Sequence, residues 1–150
     1  MEYAKIWEKT LGPNEEVKYE FSVSKRYRKI LMVATVIIGI LFFYLPPLAI
    51  GIALLGLFYF GFYLKVANAY AFTNDRVLIH KGWLSTKLIS TEYQKITDVT
   101  VHEPFISRII FKTGHLTINT AGTGAHEITL RHVERPYELK KKLDGLRTNR

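Results

Sequence analysis

Thirty-five consecutive residues, Ile30 to Leu64, carry no charge, and two adjacent prolines, Pro46 and Pro47, stand at their middle. An uncharged run of this length is the signature of a membrane-inserted segment rather than of a core helix in water. As one helix it would be about 52 Å long, well beyond a hydrocarbon core of about 30 Å. Leu45 precedes a proline and is pushed out of helical dihedrals. Pro46 cannot continue a helix, whereas Pro47 suits the first turn of a new one. The sequence therefore predicts a two-helix transmembrane hairpin over residues 30–64 with its turn at Pro46–Pro47. Its arms, Ile30–Leu45 and Leu48–Leu64, would each reach about 24–26 Å. Tyr27–Lys29 on one side, with Pro47 and Lys65 on the other, extend them towards a full span. Tyr27, Tyr44 and Tyr63 then fall near the two interfaces. A re-entrant loop would need shielding by further protein.

Within the run, Gly51, Gly56 and Gly61 recur every five residues and so do not share a helix face. Ala49 and Ala53 do, and they allow close approach of the first arm. No Asp, Glu, His, Lys, Arg, Asn or Gln lies between Ile30 and Leu64. Transport and proton paths use such groups at depth, so transport by this chain alone is excluded.

The net charge is +8, and basic residues crowd both flanks of the apolar run. Lys25, Arg26, Arg28 and Lys29 precede the run and Lys65 follows it, while the turn has no cation. The positive-inside rule then places both termini in the cytoplasm, as a multi-pass protein of the cell membrane. Those five residues are predicted headgroup contacts, each contributing roughly 1 kcal/mol near an anionic surface. Topology and a basic C-terminal helix explain the charge excess, so nucleic acid is not an expected partner. With no cysteine, disulfides, thiol nucleophiles and Cys-based zinc sites are excluded.

Before the hairpin, Tyr3, Ile6, Trp7 and Leu11 recur at helical spacing up to Gly12-Pro13, which predicts a short amphipathic helix for the membrane surface or the soluble domain. Glu16–Ser24 alternates, with Val17, Tyr19, Phe21 and Val23 on one face. An isolated strand is unstable, so it must join a sheet formed after the hairpin. The expected organisation is residues 1–29 as a cytoplasmic helix and strand, 30–64 as the hairpin, and 65–150 as a sheet domain. In that domain, strands are predicted at Ala69–Thr73, Arg76–Lys81, Thr86–Glu92, Ile96–His102, His115–Thr120 and Glu127–Leu130. Asn74-Asp75 and Ala121-Gly122-Thr123-Gly124 are turns. Phe105–Phe111 reads as a helical turn crossing the sheet. A helix from Arg135 to Leu146 starts on Pro136, with Leu139, Leu143 and Leu146 facing the core and Lys140–Lys142 solvated.

The run Ala71-Phe72-Thr73-Asn74-Asp75-Arg76, continuing through Val77-Leu78-Ile79-His80-Lys81 to Gly82-Trp83-Leu84, resembles the opening of the bacterial pleckstrin-homology-like, membrane-flanked domain. Ile96-Thr97-Asp98-Val99, Phe105-Ile106-Ser107-Arg108-Ile109-Ile110 and Leu116–Gly122 resemble it too, over about residues 68–145. The chain departs from the pattern at Phe111, where that family commonly has glycine. The resemblance implies an α+β membrane protein, a PH-like antiparallel half-barrel capped by a C-terminal helix and held at the cytoplasmic membrane face. It also implies headgroup contact through the first strands' loop, here Lys81, Trp83 and Lys87, although the arginine that usually completes that signature is missing.

Tests for chemistry return nothing. His80, His102, His115, His126 and His132 form no metal-ligand spacing. Asp98 and Glu103 lack a neighbouring nucleophile motif. The glycine-rich turn Ala121–Ala125 lacks the Lys-Ser/Thr of a phosphate loop. Ser85, Ser90 and Ser107 lack a nucleophile elbow. The expectation is a non-enzymatic, membrane-anchored interaction module without cofactor or metal. Its partners would be membrane lipids, other proteins and copies of itself as an oligomer. The alternative is an accessory subunit of a larger membrane transport or envelope-stress complex.

Overall fold

The computed structural model describes residues 3–42, 44–121 and 127–148. The predicted glycine-rich turn at 122–125 and His126 lie outside the described residues. Two antiparallel sheets face each other across the core. The first has the order β1 (Val17–Ser22), β2 (Asn68–Thr73), β3 (Arg76–Lys81), β4 (Lys87–Glu92). The second has the order β5 (Ile96–His102), β6 (Thr113–Thr120), β7 (Ile128–Glu134). Tyr70, Phe72, Val77 and Ile79 from the first sheet meet Val99, Leu116, Ile118, Leu130 and Val133 from the second. The C-terminal helix Pro136–Thr148 closes the open end with Leu139 and Leu143.

The hairpin is spliced into one sheet edge. β1 pairs with β2 in the register Ser22↔Ala69 and Glu20↔Ala71, so the chain leaves and re-enters the sheet at neighbouring positions. Between them stand α2 (Lys25–Leu41) and a helix running from Pro46 to Val66. The latter consists of α3 (Pro46–Gly56), a π-helical stretch (Leu57–Tyr63) and α4 (Leu64–Val66). The arms touch where side chains are smallest. A Cβ on Gly39 would lie 3.1 Å from the Ala49 carbonyl oxygen and 3.7 Å from the Ala53 Cβ. Gly56 rests directly on Thr35.

Several boundaries differ from expectation. The first arm ends at Leu41, not Leu45, and Pro46 opens the second helix instead of forming the turn. The first helical position needs no N–H partner, so Pro46 is tolerated there, with Phe42 closing the first helix and Leu45 capping the second. Among the described residues, by length and composition only Pro46–Val66, with mean hydropathy 1.9, is long and apolar enough to cross a membrane. α2 has 17 residues and opens on four of the basic side chains, so the expected pair of equal spanning arms is corrected to a hairpin of unequal arms.

β1 does not present one continuous face. A bulge between Val17 and Tyr19 sends Val17 towards Trp7, Ala69, Ala71 and Leu78, while Phe21 packs on Tyr70 and Phe72. Tyr19 is left outside beneath the Lys142 ammonium, 4.4 Å from its ring centre. The N-terminal helix, α1 (Ala4–Trp7), lies on the outer face of the first sheet, with Trp7 fully buried there. Nor are all three lysines of the last helix solvated, since the Lys140 ammonium donates to the Val99 carbonyl at 2.7 Å.

Candidate functional site

Ser24 fixes the foot of the hairpin. Its hydroxyl caps α2 by accepting from the Tyr27 N–H, and its own N–H donates to the His132 carbonyl at 2.8 Å. The first turn is thereby tied to β7. Lys25, Arg26 and Lys29 stand exposed around it, and Arg26 Nε donates to the Ile110 carbonyl at 3.2 Å. Arg28 differs from its neighbours. It turns inward and donates to the Gly61 carbonyl of the second arm at 3.1 Å, locking the two helices at their base. Lys65 is half-buried at the same level, and its carbonyl accepts from the Tyr3 hydroxyl.

The β3–β4 loop lies against the second arm. Gly82 has φ +98°, and a Cβ there would fall 1.9 Å from the Ser85 carbonyl oxygen, so only glycine makes this turn. The turn lays the Trp83 ring 5.3 Å from Phe62 and 5.9 Å from Phe58, edge-on to both. Leu84, 89 % exposed, forms the bare tip. Burial holds the Lys81 ammonium below the usual lysine range, with further repulsion from Arg131 and Lys87. Arg131, on the second sheet, thus adds to the positive field at Lys81. The sequence reading missed it because β7 was expected to end at Leu130, whereas the strand runs on to Glu134.

Three of the five histidines also come together. The His102 and His115 rings stack at 6.3 Å, His115 meets His132 at 4.9 Å, and His132 stacks on Tyr27 at 3.9 Å. With Thr100, Thr117, Thr129 and Arg131 they line an open depression of about 710 Å³ on the second sheet. Among the described residues, no group of three or more His, Cys, Asp or Glu is placed to hold a metal ion. Burial, then His115, then Arg131 push the His132 imidazole from 6.5 to about 4. The unfolded chain therefore binds this proton first. Up to about 3 kcal/mol of stability, whole above pH 6.5, is lost as pH falls towards 4. His132→Asn, which tolerates the observed φ of 53°, is expected to flatten that loss; unfolding curves at pH 7 and pH 5 check it.

Other singled-out residues stay apart. Asp98 accepts from the Thr100 hydroxyl at 3.1 Å on an exposed strand, and Glu103 packs beside Gly114. Ser107 is buried in the helical turn, while Ser85 and Ser90 are exposed. Phe111 needs no glycine, because the left-handed residue is Lys112 at φ 52° and the Phe111 ring packs on Tyr27.

Two facing antiparallel sheets closed by a C-terminal helix define a PH-like domain. The chain matches the family described as Bacterial PH domain over residues 24–147 and belongs to it. Its fold is similar to that of a DUF1696 family protein with a pleckstrin-homology domain from Shewanella loihica PV-4, at TM-score 0.54 and 13 % identity, covering 97 % of this chain and 94 % of that one. It is also similar to a pleckstrin homology domain from Shewanella amazonensis SB2B, at TM-score 0.51 and 14 % identity, covering 95 % and 82 %. No curated protein matches the chain.

Proposed function

We propose that this chain is a non-enzymatic, membrane-anchored binding module whose PH-like domain engages anionic lipid headgroups at the cytoplasmic face. The observation that carries this reading is the hairpin's bare apolar surface, rising from a basic foot. Val33, Ile37, Ile40 and Leu41 on one arm and Ile50, Leu54 and Leu55 on the other are exposed, an apolar area too large for water to tolerate uncovered.

Both arms start level, because Ser22 pairs with Ala69, and they end at one short link. The depth of the hairpin is therefore set by its longer arm, about 31 Å for Pro46–Val66, and the shorter arm with its link returns through the same layer. Lys25, Arg26, Lys29 and Lys65 then lie at headgroup level, and no cation lies at the far end. The positive-inside rule puts that foot in the cytoplasm. Lys81, Lys87 and Arg131 favour an anionic headgroup over an uncharged partner.

Two measurements test this. Alkaline carbonate should leave the full chain in the membrane pellet; its release would overturn anchoring. Replacing Lys81, Lys87 and Arg131 with alanine should weaken titrated binding of short-chain phosphatidylglycerol to the detergent-purified chain by about a hundredfold, at roughly 1 kcal/mol per cation. Unchanged affinity would remove the headgroup site.

A further inference from the structure

Four large apolar side chains stand bare within six residues: Phe105 (70 % exposed), Ile106 (61 %), Ile109 (53 %) and Ile110 (47 %). Their spacing of i, i+1, i+4 and i+5 puts them on one face of the helical turn. The inward side holds Ser107, which is buried, and the turn is closed by the Arg108 N–H donating to the Pro104 carbonyl at 2.9 Å. This is an amphipathic turn with its apolar face outward, the reverse of what a soluble domain does with such residues.

Its position is fixed by the hairpin. The Phe111 ring packs 4.9 Å from Tyr27, and the Ile110 carbonyl accepts from Arg26. Both partners belong to the first turn of α2, about one helical turn (roughly 5 Å) below Ile30, where the uncharged run begins. Cations predominate around the turn, with Glu103 just before it and Glu134 paired with Thr113 just after it. Arg108 and Lys112 belong to the turn, Lys25 and Arg26 stand beside it, and no carboxylate occurs between Glu103 and Glu127.

We infer that the turn Phe105–Ile110 is a second membrane-seating element. It is monotopic, its apolar face lying in the headgroup–acyl boundary while Arg108, Lys112 and Arg26 meet lipid phosphates. The inference rests on the proposed anchoring by the hairpin and goes beyond it, by adding a foot on the first arm to match Trp83 and Leu84 on the second. The occupant is lipid rather than protein for two reasons. The apolar face continues the bare surface of α2 through the Tyr27–Phe111 contact, and its cationic border complements an anionic leaflet. Interfacial elements of this kind bury their apolar face about 5–10 Å into that boundary. With a foot on each arm, the domain is held at a set tilt and cannot swivel about the hairpin.

The chain has no cysteine, so one introduced thiol reports one position. Ile109→Cys, Lys141→Cys on the exposed side of the last helix, and Ile37→Cys within α2 are each labelled with a polarity-sensitive dye. Each full chain is then reconstituted into vesicles of phosphatidylcholine and phosphatidylglycerol. The expected result is that the Ile109 label is shielded from aqueous iodide and quenched by a quencher carried near the lipid glycerol. The Lys141 label should show the opposite, and the Ile37 label should respond to a deep lipid quencher. A lipid-quenched Ile37 label with an Ile109 label as open to iodide as Lys141 would overturn the inference and leave the anchoring intact. An Ile109 label shielded from both quenchers would mean that a second copy covers the turn, which also overturns it. An Ile37 label that no lipid quencher reaches would overturn the anchoring, and this inference with it.

Discussion

Gly56→Leu is expected to force the two arms of the hairpin apart and to produce the largest loss of stability of any single substitution in the hairpin. A Cβ at this position would lie 2.3 Å from Thr35 Oγ1 and 2.5 Å from Thr35 Cβ, well inside van der Waals contact. Thr35 cannot swing away without giving up its hydroxyl bond to the Met32 carbonyl at 2.8 Å. In the bilayer proposed for the hairpin, lipid tails are as apolar as leucine, so close packing of small residues rather than a hydrophobic drive holds the two helices together. Overpacking a tight contact costs about 1–3 kcal/mol, and a leucine placed here should exceed the upper figure. Gly51→Leu is the control, since nothing lies within 4 Å of a Cβ at Gly51. Its effect should stay within about 0.5 kcal/mol, as for a substitution that touches no partner. Unfolding in mixed detergent micelles measures both. Equal losses at the two glycines would show that the arms do not cross at Gly56 and Thr35. Combining Thr35→Gly with Gly56→Ala should recover much of the stability that Gly56→Ala alone loses.

The crossing was half legible in the sequence. Ala49 and Ala53 marked the face of the second arm, but their partner, Gly39, could not be named without the angle between the helices. The length of the uncharged run and its central prolines pointed to a hairpin. They misplaced the turn, because Pro46 reads as a breaker although it sits comfortably at a helix start. The β1 bulge was invisible, since alternation through Val17, Tyr19 and Phe21 continues unbroken in the letters while the register shifts beneath it. At the candidate site, Lys81, Trp83 and Lys87 were found from the loop that carries them. Arg131 was lost because Arg131 and His132 look like loop residues. Neighbouring strands must be known before β7 can be extended past Leu130. Phe105, Ile106, Ile109 and Ile110 were legible as a helical turn. Their outward direction was not, since apolar residues at helical spacing ordinarily face a core.

Glu15→Gln is expected to cost about 3 kcal/mol near neutral pH and only a few tenths of a kcal/mol near pH 2. The Glu15 side chain is 3 % exposed and accepts four hydrogen bonds. Arg76 Nε and its terminal nitrogen donate at 2.8 and 2.5 Å, the Thr73 hydroxyl at 2.7 Å and the Gly12 N–H at 2.9 Å. The Arg76 hydrogen bond is the largest influence and outweighs burial, holding the carboxyl well below its ordinary 4.5, at about 2. The unfolded chain is protonated first as acid is added. The stabilisation is therefore complete above about pH 4.5 and is lost as pH falls from there towards 2, in total about 3 kcal/mol. His132 loses its share at a higher pH, between 6.5 and 4, so the two contributions separate along the pH axis. The clasp also has a local consequence. Arg76 reaches the Thr10 carbonyl at 3.2 Å, so the Glu15–Arg76 pair binds the segment after α1 to the β2–β3 turn and keeps Trp7 sealed against Ala69, Ala71 and Leu78. In a Trp83→Phe background, Glu15→Gln should shift Trp7 emission to the red at a lower denaturant concentration than the parent. Arg76→Lys should lose most of the same stability, because a single ammonium cannot make the paired contact. A double-mutant cycle that gives additive losses at neutral pH, or a difference between parent and Glu15→Gln that persists undiminished at pH 2, would mean that the carboxylate is held by something other than Arg76.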